Sequence, residues 1–260
     1  MQRRARMAFL LGFALAFVWP VAAQPKPAPL AVAAAGDLRG TLEEVKRAFE
    51  SRHPGTRIDL TFGASGSLTA QIQQGAPFDV FLSADAGFPE QLRQAGQVSP
   101  EGLFPYAMGF LTLWVRRDLG LDPIRDGLRV LLDLRIKRIA LANPRIAPYG
   151  RAAEGALQKA GILEALKTKL VFGDSIAQAG QFLQAGAAEA GLVSQSQALH
   201  PALASTGMSW KLPENLVPAQ RQNGVILARS AVLGLARAFR DFLTGAEGQS
   251  ILARHGFGRP

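Results

Sequence analysis

Residues 61–85 read TFGASGSLTAQIQQGAPFDVFLSAD. An alternating run ending at Phe62 stops at a corner of small residues and hydroxyls, Gly63-Ala64-Ser65-Gly66-Ser67. A helical run through Gln74 opens at once, and FDVFLS at 78–83 reads as a further strand. Strand, tight corner, helix and strand form the repeating unit of a sheet covered by helices. The corner carries no general base and no metal ligand. Its chemistry is therefore that of hydroxyls and backbone amides.

Working outward, LAVAAAG at 30–36 reads as a strand and TLEEVKRAFESR at 41–52 as a helix. That helix places Leu42, Val45 and Phe49 on one face, with Thr41 as its expected cap. TRIDLTF at 56–62 alternates Ile58, Leu60 and Phe62. The order is βαβαβ with short turns, which predicts a mostly parallel sheet flanked by helices. A second α/β series starts near Phe110: strands FLTLWVR, RIALANP, KLVFGD and AEAGLVSQ, with helices YGRAAEGALQKAG and SIAQAGQFLQAG. NGVILARS at 223–230 and two closing helices find no partner in that second series, so they return to the first. The fold class expected is α/β and two-lobed, lobe I being 30–107 with 220–260 and lobe II 108–219. Two crossings near Ala107 and Gln220 make a hinge over a cleft. No internal repeat is visible.

At the N-terminus, Arg3, Arg4 and Arg6 precede the apolar run MAFLLGFALAFVW and Val21-Ala22-Ala23. This is the pattern of a secretory signal peptide over 1–23, with a flexible, proline-punctuated tail at 24–29. The apolar run is too short for a comfortable membrane span. Cysteine is absent, which excludes disulfides, thiolate catalysis and cysteine metal sites. The formal charge of +9 falls to about +6 without the leader arginines. The remaining basic residues are scattered without an aromatic-basic motif, which argues against nucleic acid as a partner.

In open α/β sheets, ligands sit beyond the carboxyl ends of strands, where helices begin. Four such corners are present: AAAGDLRG, FGASGSL, NPRIAPYG and FGDSIAQ. All are small residues, hydroxyls and exposed amides, and Arg39 and Arg145 are the only cations nearby. Several helix amino ends converging make an anion site without formal charge. The corners thus read as an oxyanion site.

These corners, in this order and with GAPFDVFLSAD between them, resemble the periplasmic molybdate-binding proteins of ABC importers, a branch of the type II periplasmic binding proteins. The resemblance runs from residue 30 to 257. It implies a periplasmic, monomeric receptor that closes on a tetrahedral dianion, molybdate or tungstate, and hands it to a membrane permease. No cofactor and no catalysis are implied, and molybdenum enters only as the oxyanion. Carried over by position, the ligating residues are Gly36, Asp37, Ser65, Tyr149 and Ile176, with Ala64 and Ser194 as possible additions. Tyr149 and Ile176 would act through backbone amides.

The departure lies at Gly36-Asp37, because members that present a hydroxyl there carry Ser or Thr. A carboxylate facing a dianion repels it, so Asp37 is expected to turn away and cap the next helix, or else to be protonated. Other readings stay open. Sulfate or thiosulfate obeys the same uncharged-site logic, and an organic acid would call on Arg39 or Arg145. A hydrolase is disfavoured because Gly63-Ala64-Ser65-Gly66 lacks the spacing of a nucleophile elbow. Asp79 and Asp85 read as turn braces, and His53, His200 and His255 lack ligand spacing.

Overall fold

The computed structural model describes residues 28–260. The signal-peptide reading of 1–23 and the first part of the tail lie outside the described residues. Ten strands run β1 (Leu30–Ala35), β2 (Ile58–Gly63), β3 (Val80–Leu82), β4 (Val98–Gly109), β5 (Leu111–Arg116), β6 (Ile139–Ala142), β7 (Leu170–Gly173), β8 (Ala190–Ser194), β9 (Gly207–Lys211) and β10 (Gln220–Leu227). Helices α1 (Arg39–Arg52), α2 (Ser65–Gln73), α3 (Gly87–Gln94), α4 (Pro123–Asp126), α5 (Pro148–Lys159) and α6 (Leu163–Leu166) come from the first two-thirds. They are followed by α7 (Ile176–Gln184), α8 (Gln195–Leu199), α9 (Pro201–Ala204), α10 (Leu233–Thr244) and α11 (Ala246–Arg254). Among the described residues no helix is long and apolar enough to cross a membrane.

The strands form two five-stranded sheets, ordered β2-β1-β3-β10-β4 and β7-β6-β8-β5-β9. In the first, β2, β1 and β3 pair in parallel while β10 runs against both β3 and β4. In the second, β7, β6 and β8 are parallel while β5 runs against β8 and β9. Four strands of each sheet therefore share a direction and one is reversed. The reversed strands are the ones at the crossings: β4 leads through Phe110 into β5, and β10 brings the chain back. Each lobe is thus a mixed, mostly parallel sheet.

Both faces of each sheet are buried, as parallel sheets require. In lobe I, Leu30, Val32 and Ala34 of β1 point toward α1, α10 and α11, where Phe49 meets Phe239 and Phe242 edge-on at 5.5 Å. Ala33, Phe81 and Val225 point the other way, toward Leu68, Ile72 and Leu92 of α2 and α3. In lobe II, Leu113, Leu141 and Leu192 pack on Ala153 and Leu157 of α5, and Trp114, Ala140 and Val193 on Ala179 and Leu183 of α7. Each fully buried Leu, Val or Phe contributes about 1.5–3 kcal/mol relative to exposure. That burial holds the carboxyl ends of β1, β2, β6 and β7 rigidly at the cleft.

Two expectations are corrected. Thr41 is no cap: a 3-10 turn at Gly36–Leu38 runs straight into α1 at Arg39, and Thr41 lies buried inside the helix. Strands β4 and β9 were not visible in sequence, because Pro100, Gly102 and Pro105 break the pattern of β4 and GMSWK is too short to read.

Candidate functional site

The four corners do converge. Between the lobes lies a small cavity of about 10 Å³ lined by Ala35, Gly36, Gly63, Ala64, Ser65, Ala84, Ala147, Pro148, Tyr149 and Ile176. No charged side chain lines it. The guanidinium of Arg39 is turned onto the ring of Phe62, 4.5 Å from its centroid, and Arg145 is exposed at the turn before α5.

Three helices of eight residues or more begin at this cavity. The N-cap positions of α2 and α5 are Ala64 and Ala147, both extended and neither able to cap with a side chain. Alanine is among the poorer N-cap residues, and it leaves the first-turn amides without a side-chain acceptor. Pro148 takes the first position of α5, so Tyr149 supplies its first amide. At α7, Ser175 accepts from the amide of Gln178, which leaves those of Ile176 and Ala177 at the opening. The three amino ends bring partial positive charge to a space with no formal charge.

Ser65 adds a hydroxyl. The residue is 1% exposed, and its Oγ accepts the amide of Ala84 at 3.1 Å, which leaves the O–H as a donor. Ala84 was not singled out in sequence, and only the β3 to α2 packing reveals that it orients Ser65.

Asp37 stands beside the cavity and caps nothing. Its carboxylate turns to the hinge, where Oδ2 accepts from Gln222 Nε2 at 2.7 Å and Oδ1 has no partner. Burial pushes its pKa up from 3.8 to about 6, against the pull of Gln222, the Tyr149 hydroxyl and the amides of Asp37 and Leu38. Gln222 also approaches the Tyr149 hydroxyl at 3.2 Å, and its Oε1 accepts from Tyr106, which reaches Ser83 O at 2.9 Å. Burial, then the charge of Asp37, pushes both tyrosines well above 10. The expected capping role of Asp37 is therefore replaced by a polar network that joins lobe I, lobe II and both crossing strands.

Tyr149 lines the cavity while its hydroxyl belongs to that network, which leaves its amide for a ligand. Gly109 permits the arrangement, since a Cβ there would overlap the Tyr149 hydroxyl. Ser194 is not brought to the cavity: it caps α8 in a capping box with Gln197 and meets Ser196 Oγ at 2.9 Å. Asp79 braces lobe I through the Ala31 amide and Ser230. Asp85 caps the start of α3 through the Phe88 amide and pairs across the cleft with Arg151 at 2.7 Å. Among the described residues no group of three or more His, Asp or Glu side chains is placed to hold a metal ion.

The family described as bacterial extracellular solute-binding protein matches residues 30–258. The molybdate-binding protein ModA of Azotobacter vinelandii is 37% identical over 238 residues, 92% of this chain and 93% of that protein. A solved structure of the Azotobacter vinelandii periplasmic molybdate-binding protein superposes with a TM-score of 0.83 at 33% identity, covering 89% of this chain and 99% of that one. The sulfate-binding protein SubI of Mycobacterium tuberculosis shares the fold at a TM-score of 0.71 and 18% identity, over 87% and 85% of the two chains. A two-lobed scaffold, a cleft between helix amino ends and these matches over nine-tenths of the sequence agree: the chain belongs to the bacterial extracellular solute-binding proteins.

Proposed function

We propose that this chain is a periplasmic receptor that captures molybdate or tungstate and delivers it to the permease of an ABC importer. The observation that carries this reading is the small cavity ringed by three helix amino ends and the Ser65 hydroxyl, without a charged side chain in its lining. The same residues, Gly36, Ser65, Tyr149 and Ile176 with Ala64, form the ligand set, through amides and one hydroxyl. A closed cleft takes the dianion out of water, so each of its oxygens must find a donor, and the amides supply donors only. An anion that carries its own proton meets no acceptor among those amides, so hydrogen phosphate is rejected.

In this reading the chain is a carrier rather than an enzyme. It acts as a monomer without cofactor, exported by the segment at 1–23, with no role for nucleic acid. The open protein takes the dianion on lobe I, closure brings the amides of α5 and α7 onto it, and the permease recognises the closed form. Ligand that binds only the folded state raises stability by about 4 kcal/mol at roughly a thousand times Kd. Saturating molybdate should therefore raise the melting temperature by several degrees. Competition calorimetry with molybdate, tungstate, sulfate and phosphate tests the assignment. Tight binding of the first two and weak binding of sulfate is the expected result, and a preference for sulfate would reassign the ligand.

A further inference from the structure

A second and larger pocket lies between the lobes, and Gly36 is the one residue it shares with the oxyanion cavity. Its volume of about 240 Å³ equals roughly eight water volumes. One wall is the start of α1, with Arg39 and Thr41; the other is α7 and the turn after α8, with Gln181, Gln184 and His200. Ala177, Gln181 and Gln184 recur at i, i+4 and i+7 of α7, so they share the helix face that lines the pocket. Among the described residues neither glutamine side chain has a hydrogen-bond partner, and no carboxylate pairs with Arg39, whose guanidinium rests on Phe62. His200 Nδ1 accepts the amide of Ala202 at 3.3 Å, which puts the ring hydrogen on Nε2, and the neighbouring Cδ2 edge faces Gly40 of α1. Thr41 is 1% exposed, yet its hydroxyl has no partner, a state that buried hydroxyls rarely keep. The acids nearby are engaged elsewhere. The Asp37 carboxylate is turned to the hinge and its carbonyl accepts from Ser196 at 2.7 Å, while Glu44 is shared by His255 at 2.8 Å and Arg254.

We propose that this pocket is a second ligand site, for a polyhydroxy monocarboxylate of sugar-acid size, and that its occupant, touching both lobes, favours the closed cleft. Arg39 offers a single planar fork, which suits one carboxylate. The groups around it are neutral, and each glutamine amide and the threonine hydroxyl can both donate and accept, which matches hydroxyls rather than further charge. A bare tetrahedral ion would leave most of the space unfilled, and a second carboxylate would find no cation. An occupant held by Arg39 on lobe I and by Gln181, Gln184 and His200 on lobe II binds the closed form better than the open one. It therefore tightens a ligand in the neighbouring cavity, and that ligand tightens it by the same factor. Near physiological salt, screening over about 8 Å limits the repulsion between one carboxylate and a dianion. Binding in this pocket stands apart from the oxyanion reading; the coupling alone rests on it.

The test is calorimetric titration of glucuronate into the native chain, Arg39→Ala and Thr41→Val, with and without saturating molybdate, after a blank of the two solutes without protein. Glucose and inorganic phosphate serve as the uncharged and the bare-anion probes. Glucuronate should bind the native chain, about three- to tenfold more tightly when molybdate is present, and should tighten molybdate by the same factor. Arg39→Ala should weaken glucuronate by about tenfold or more, and Thr41→Val by about fivefold. Both variants should bind molybdate alone within about twofold of native, which shows the cleft intact. Glucose and phosphate should bind far more weakly than glucuronate. If molybdate fails to bind at all, the oxyanion reading falls, and the glucuronate titration of the anion-free chain still judges the pocket. No glucuronate binding under either condition, displacement of molybdate by glucuronate, equal affinity with and without bound molybdate, native-strength binding by Arg39→Ala, or phosphate binding as well as glucuronate would each overturn the proposal.

Discussion

Replacing Asp37 by Asn keeps the shape of the side chain and removes the one ionisable group in the hinge network whose pKa lies near neutrality. Burial places the native carboxyl at about 6 against 3.8 for the free acid. The native fold thus keeps its proton up to about pH 6 while an unfolded chain releases it near 3.8. The contribution of Asp37 to stability is whole below 3.8, declines through that window and is lost above 6, a cost of about 3 kcal/mol at neutral pH. A bound dianion adds to it. With an effective dielectric near 20 and a separation of ~8 Å, two negative charges raise the cost of ionising Asp37 by about 4 kcal/mol, or roughly three further pKa units.

On this reasoning the anion-bound protein should hold Asp37 protonated at pH 7, whereas the free protein should be mostly ionised there. Binding should take up close to one proton between pH 7 and 8, and Kd should rise nearly tenfold per pH unit above 6. At pH 8 the Asn variant should bind about a hundredfold more tightly than the native chain, and at pH 5 the two should agree. Calorimetry at pH 5, 6, 7 and 8, in two buffers of different ionisation enthalpy, measures both the affinity and the proton count. A native Kd that is the same at pH 5 and 8 would refute the reasoning, and so would an Asn variant that keeps the native slope.

Ser65→Ala removes the hydrogen bond that the proposed ligand set gives from this buried hydroxyl to the anion, and should cost on the order of 1.5–3 kcal/mol, or roughly ten- to a hundredfold in Kd. Arg39→Ala should cost far less, and the reverse order in a titration would return the ligand to the arginine. Tyr149→Phe should leave molybdate affinity at pH 5 within about threefold of native, because the proposed ligand set uses its amide rather than its hydroxyl. Its loss of a hydrogen bond that favours the Asp37 carboxylate should move the midpoint of the pH profile upward, and a downward move would contradict the network. The Arg151 to Asp85 pair leaves the arginine side chain 45% exposed, so Arg151→Ala is worth at most about 1 kcal/mol. Stopped-flow should show a several-fold faster release at low salt and little difference near 1 M salt. A loss that salt does not diminish would mean that more than charge holds the cleft shut.

The corners were legible because their chemistry is local. Ser65 stands in a corner of small residues and hydroxyls between an apolar run and a helical one, Tyr149 and Ile176 came with the resemblance to the molybdate-binding proteins, and the fold brings the three together. The destination of Asp37 was illegible for the opposite reason. Its hydrogen-bond partner Gln222 lies 185 positions away on a strand whose polar residue gives no local signal. The same holds for Ser194, where a serine after a strand reads as a ligand or a cap, and only the Gln197 side chain decides for the cap. Strand β4 escaped because two prolines and a glycine mask a run whose partner, β10, arrives more than a hundred residues later.

The position of β10 has a consequence for how the molecule is made. It is the fourth strand of the five in its sheet, between β3 and β4, yet it is the last strand in the chain. A ribosome releases β1 to β4 early, but β4 has no neighbour in its own sheet until residues 220–227 have emerged, and α10 and α11 follow later still. The first half of the chain is therefore a set of apolar strands with an open edge for most of its synthesis, and its core closes only when the C-terminus arrives. The same wiring makes the C-terminal 41 residues indispensable to the N-terminal lobe, so truncation there should cost lobe I rather than merely shorten it.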